Sequence, residues 1–171
     1  MSDFKELVGP RNRIRNIEID EVQAVENLCE AARGMPERQQ LEVVEEFLQR
    51  NMLNALNPNA QISPEIRKRV WDQKTTKALS IVLEDRYGVC LDWHVVGQAI
   101  LNKLGIETVF QVGKVADGPA HTYLDVKIED KWEIFDPFAR QYLADRGVSG
   151  KQFQSEYYLN SKAYKKEGTK S

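Results

Sequence analysis

The chain offers few residues for nucleophilic chemistry: two cysteines, Cys29 and Cys90, and two histidines, His94 and His121. Cys90 stands in RYGVCLDWH, directly after Gly88-Val89 and at the head of an apolar-periodic run. The thiolate attacks, not the thiol, and the unpaired N–H groups and dipole at a helix start favour the thiolate. A lone cysteine is more simply a packed small residue. Cys29 fits that simpler reading, because it falls on the apolar stripe of an earlier helix.

A thiol nucleophile also needs a base. His94 follows Cys90 by four residues, so a helix holds the two side by side and leaves little room for a substrate carbonyl between them. His94 therefore reads as a flanking or structural histidine. No neighbouring residues complete a zinc-like ligand set with Cys90 and His94, and neither metal nor cofactor is expected. His121 opens a β-run just after a turn, at the rim of a cleft. Asp136 ends the next β-run, before Pro137. If the hairpin between them closes with an even loop around Glu129-Asp130, Asp136 opposes Tyr123 and lies one diagonal step from His121. An odd loop would instead set Trp132 and Ile134 beside Val126 and Leu124 and turn Asp136 away.

These residues must be positioned by helices first and strands afterwards. Asp20 is read as the cap of a helix carrying Val22, Val25, Leu28, Cys29 and Ala32, ending near Gly34. Pro36 opens a longer amphipathic helix through Leu56, stopped by Asn57-Pro58-Asn59. Ser63-Pro64 starts a third, holding Ile66, Val70 and Trp71. A fourth runs from Thr75 to about Arg86, and a fifth from Cys90 to Leu104, with Gly105 at its C-terminal side. Strands follow at Thr108–Val112, Thr122–Ile128 and Lys131–Phe135, with a turn over Ala116–Pro119. Helices before strands predict an α+β class with an antiparallel meander. Phe153, Tyr157, Tyr158 and Tyr164 are expected to pack locally, ahead of a frayed end over 165–171.

The length of 171 residues suits a single domain over 1–171, and the formal charge of -2 gives no footprint for nucleic acid. Arg11, Arg13 and Arg15 read as a solvated arm. No run approaches the ~18 apolar residues of a membrane span and no signal-peptide core is present. Two cysteines do not make a secreted disulfide framework, so a cytoplasmic protein with free thiols is expected. A leaderless export route would leave the same pattern.

The segments GVCLDWHVVGQAILNKLGIETVFQVG and AHTYLDVKIEDKWEIFDPF resemble the transglutaminase-like superfamily in order and spacing: Gly-x-Cys opening a helix, Leu-Gly-Ile closing it, a strand, His-x-aromatic-x-acid-Val, then Trp-x-x-x-Asp-Pro. The likeness covers roughly residues 75–140. It implies a papain-like fold with a catalytic core over 63–140, Cys90 as nucleophile, His121 as base, Asp136 as orienting carboxylate, and the even hairpin register. Thr122-Tyr123 stands where many relatives have Ala-Trp, and the helical extension over 20–57 has no assignable counterpart. The Cys90 N–H is the natural first oxyanion donor, with Gln73 or Trp71 as candidates for the second. The expected activity is a thiol enzyme acting on a peptide or side-chain amide of a protein or peptide substrate through a thioacyl intermediate. Proteolysis or glutamine deamidation is preferred over cross-linking, since no additional modules are evident to exclude water. The rival reading is a non-catalytic binding domain that keeps the fold.

Overall fold

The computed structural model describes residues 17–72, 77–114, 120–147 and 155–164. Its helices are α1 (Gln23–Ala32), α2 (Glu37–Asn51), α3 (Pro64–Trp71), α4 (Leu79–Asp85), α5 (Cys90–Lys103) and α6 (Pro137–Asp145). The sheet strands are β1 (Thr108–Lys114), β2 (Ala120–Ile128) and β3 (Lys131–Phe135), joined as an antiparallel meander in the order β1-β2-β3. The α+β reading and the segregation of helices from strands hold. None of the described helices is long and apolar enough to cross a membrane. The Arg11–Arg15 arm, Gln73, the 116–119 turn, Phe153 and the 165–171 end lie outside the described residues.

The β2–β3 hairpin takes the even register. Leu124 pairs with Phe135 and Ile128 with Lys131. Glu129 and Asp130, the two turn residues, both have positive φ, at 51° and 66°. That is the type I′ geometry whose twist matches the flanking strands, and it fixes the pairing that an odd loop would have shifted. The start of α2 docks on the same turn: the Glu129 N–H donates to the Glu37 carboxylate at 2.6 Å, and Arg38 pairs with Glu133 on β3.

α5 packs between α2 and β2. It is buried on almost every side, through Trp93, His94, Val95, Val96, Gly97, Ile100 and Leu101, as expected of a helix that is largely apolar all round. Gly97 marks its closest approach to the sheet: a Cβ there would meet Leu48 at 3.2 Å and Phe135 at 3.3 Å. Each fully buried large apolar side chain in this layer is worth roughly 1.5–3 kcal/mol. The core is therefore built around α5 along most of its length.

Three helix boundaries differ from the sequence reading. Asp20 does not cap its own helix; it reaches the start of α4, accepting from the Ser80 N–H at 3.0 Å and the Ser80 hydroxyl at 2.5 Å. These bonds hold its carboxyl below the usual range. Next, α2 ends at Asn51, not at Leu56, because Leu53-Asn54 leaves the helix to pair in parallel with Tyr87-Gly88. Finally, α4 begins at Leu79, since Lys77-Ala78 pairs in parallel with Ile17-Glu18. In the last two cases a two-residue backbone bridge outweighs helix propensity, which is a weak prior.

β2 is buried along nearly its whole length. Alternation turns Leu124, Val126 and Ile128 toward α5, and His121, Tyr123 and Asp125 to the opposite face. That second face is covered by residues 155–164. Asp125, wholly buried, accepts from the Ser161 hydroxyl at 2.6 Å, the Lys162 N–H at 2.7 Å and Gln111 at 2.9 Å. Tyr157 and Tyr158, expected to pack only locally, instead lie on the sheet.

The cover is close because Gly113, the cross-strand partner of His121, has no side chain. A Cβ at Gly113 would stand 1.7 Å from the Tyr157 carbonyl oxygen. Gly113→Ala is expected to lift the covering segment and lower stability by roughly 1–3 kcal/mol. Hydrogen exchange should then quicken selectively in 155–164; unchanged protection there would show that the segment does not depend on this contact.

Candidate active site

Cys90 is the first residue of α5, where the backbone N–H groups of the opening turn have no helical partner. Three contacts fix the chain entering it. Leu53 N–H donates to the Arg86 carbonyl at 2.8 Å and Ala55 N–H to the Gly88 carbonyl at 2.9 Å. Asp92, buried inside the first turn, accepts from the Val89 N–H at 3.0 Å and faces the Lys77 ammonium at 3.3 Å. Burial raises the Asp92 pKa, with Lys77 acting against that rise. Gly88 is required here, since a Cβ would press on Asp92 at 2.7 Å. The result is a half-buried cysteine on a rigid helix start.

His121, near the start of β2, is 4 % exposed. Its Nε2 lies 2.5 Å from Asp136 Oδ2, and the Cys90 side chain is near enough to act on the charge of the ring. Because Asp136 occupies Nε2, Nδ1 is the nitrogen left for the sulfur. Burial opposes a charge on His121, but the adjacent Asp136 and the Cys90 contact outweigh it, and the pKa is pushed up to about 10. The ring is accordingly an imidazolium at neutral pH.

Asp136 leaves β3 as the N-cap of α6, accepting from the Ala139 N–H at 3.0 Å through Oδ1, with Pro137 in the first turn. Asp-Pro is thus a helix start as well as a strand end, and α6 itself is an element that the sequence reading passed over. Tyr158 donates its hydroxyl to Oδ2 at 2.7 Å. His94 Nε2 stands 3.2 Å from Oδ1, out of line for a full hydrogen bond. Burial works to raise the Asp136 pKa; His121 and His94 override it and hold the carboxyl well below the ordinary carboxylate range.

The structure therefore brings Cys90, His121 and Asp136 into one chain of contacts: a thiol, an imidazole beside it, and a carboxylate fixing the imidazole. That order suits a nucleophile, a proton carrier and an orienting group. His94, read as flanking, is completely buried, 6.1 Å from the His121 ring between centroids. Trp71 is 46 % exposed at the end of α3. The sequence reading missed Tyr158 and the neighbouring Tyr157, whose ring centroid lies 5.5 Å from that of His121. Nothing in local spacing marks either one. The only available signal was the polar face of β2, where a buried Asp125 demands partners from elsewhere.

Residues 23–148 match the family described as "Transglutaminase-like domain". The match takes in α1 and α2 and ends before the segment that covers His121. No curated protein is similar to the chain in sequence. Among solved structures, one described as a TGase is 16 % identical, with a TM-score of 0.50, covering 90 % of this chain and 39 % of its own. A candidate protease from Parabacteroides distasonis is 11 % identical, with a TM-score of 0.51, covering 67 % and 23 % respectively. A candidate cysteine protease from Cytophaga hutchinsonii is 17 % identical, with a TM-score of 0.48, covering 81 % and 43 %. The chain thus spans less than half the length of these structures, and for the first two, at such identities, the likeness is one of fold.

The charge state of His121 is directly measurable, because the chain has only two histidines. By NMR its ring should remain an imidazolium past pH 8, titrating near pH 10. In Asp136→Asn that midpoint should fall by several units, since burial then acts with far less opposition. The elevated His121 pKa contributes stability that is complete below about pH 6.5 and lost as pH rises through about 10. The depressed Asp136 pKa contributes stability present above about pH 4 and lost on acidification. A wild-type His121 midpoint near 6.5 would show that the pair is not charged.

Proposed function

Because this chain belongs to the transglutaminase-like domain family, we propose that it is a cysteine-dependent enzyme that opens peptide or side-chain amides through a thioacyl intermediate. Cys90 is the nucleophile, His121 the proton carrier and Asp136 the group that orients it. The observation supporting this reading is the unbroken contact series from Cys90 to His121 to Asp136, with Cys90 at a helix start.

Cys90 reacts as its thiolate, beside the His121 imidazolium. The Cys90 sulfur attacks the amide carbon, a C–S bond forms, and the carbonyl electrons move to oxygen. The Cys90 backbone N–H is the first donor for that oxyanion. The tetrahedral adduct collapses by breaking the C–N bond as His121 gives its proton to the departing nitrogen, releasing an amine or ammonia. Neutral His121 then takes a proton from water attacking the thioester. The C–S bond breaks, the acid leaves, and thiolate and imidazolium are restored. With Cys90 half-buried and not sealed, water is the simplest acceptor. Hydrolysis of a protein or peptide substrate, by proteolysis or by glutamine deamidation, is therefore preferred over amine cross-linking.

Iodoacetamide labelling tests the nucleophile. Cys90 should react rapidly in the native protein while Cys29, 0 % exposed, stays protected. In His121→Ala the Cys90 rate near neutral pH should fall by about 10²-fold. Equal and slow labelling of both cysteines would point to a non-catalytic domain. With a glutamine-rich protein and an amine label, ammonia or cleaved peptide without incorporated label is the expected outcome; incorporated label would make the enzyme a cross-linker.

A further inference from the structure

The family match stops at residue 148, yet one donor to Asp136 comes from beyond it. We infer that Tyr158 is a positioning residue of the active site, and that the segment carrying it, residues 155–164, completes that site. This rests on the reading of Cys90, His121 and Asp136 given above.

Four observations converge on the segment. The Tyr158 hydroxyl donates at 2.7 Å to Asp136 Oδ2, the same oxygen that receives His121 Nε2. Two donors on one oxygen fix the carboxylate about both of its soft torsions, while the Ala139 N–H holds the other oxygen. The Tyr158 ring is itself held, edge-on to Tyr123 at 5.0 Å and to His121 at 6.4 Å between centroids. The segment is pinned to β2, by Asp125 to Ser161 and Lys162, and to β1, by Asn160 to the Val112 carbonyl at 2.7 Å. Finally, Gly113 leaves room for the Tyr157 backbone opposite His121. A surface tail draped over a sheet would need none of this.

The geometry also explains how Asp136 tolerates burial. A carboxylate deep in the protein is costly unless its lone pairs are occupied. Hydrogen bonds to a charged group are stronger than those between neutral groups. Removing the hydroxyl leaves Oδ2 with His121 alone, so the carboxylate is free to turn and the imidazolium is held less tightly toward Cys90.

The test compares Tyr158→Phe, which keeps the ring, with Gln40→Ala, which removes the buried 2.9 Å bond from Gln40 to the Ala32 carbonyl between α1 and α2 and so weakens the fold without touching Asp136 or residues 155–164. The probe is iodoacetamide, with the Cys90 rate followed from pH 5 to 9 and Cys29 protection reporting an intact fold. Tyr158→Phe is expected to lower the Cys90 rate at pH 6 by about tenfold relative to the rate at pH 9, and to displace the downfield Nε2 proton resonance of His121. Gln40→Ala should keep the wild-type profile and resonance. A Tyr158→Phe profile identical to wild type, or equal changes in both variants, would overturn the positioning role and leave the enzyme reading standing. If His121→Ala also leaves the profile unchanged, the enzyme reading itself fails.

Discussion

A negative charge kept almost entirely out of water governs this structure. The Asp136 side chain is only 5 % exposed, and it is held by His121, Tyr158 and the Ala139 N–H, with His94 alongside. These partners come from β2, the covering segment, α6 and α5. An ion in such a place cannot be left half-partnered without large cost, so each of those elements is bound to a particular position relative to the others. The proposed catalytic geometry follows from satisfying this one carboxylate.

The same constraint explains why the polar layer sits where two kinds of packing meet. On one side of β2, Leu124 and Val126 press against α5 and fix the height of its N-terminus, with Gly97 allowing close contact. On the other side, Tyr123 and Asp125 meet the covering segment. His121 is near the strand's start, where its ring can reach the helix that carries Cys90. The apolar layer sets distance and the polar layer sets orientation.

Much of this was legible in the sequence because it is local. Gly-Val-Cys at a helix start, Ser63-Pro64 as a cap and Leu-Gly-Ile as a helix end are short-range signals with definite backbone causes, and the structure carries all three. The hairpin register needed arithmetic across one turn, and left two answers until Glu129 and Asp130 were seen with positive φ. What stayed hidden was non-local. Asp20 serves Ser80, sixty residues away; Leu53 and Lys77 leave their helices for two-residue bridges; and Tyr158 reaches Asp136 from a stretch with no periodic pattern. Trp71 was attractive by its position before Cys90, but it ends a short helix half in solvent.

The covering segment also sets an order of events in synthesis. Chains emerge N-terminus first at about 5–20 residues per second, and Tyr158 follows Asp136 by 22 residues. For roughly 1–4 s of translation, the cysteine helix and the histidine strand exist without the tyrosine that finishes their carboxylate. Until residues 155–164 fold back, the polar face of β2 is open to water and His121 is not enclosed. Residues 155–164 are therefore the last part of the site to be synthesised, and they are the part that closes the polar face of β2.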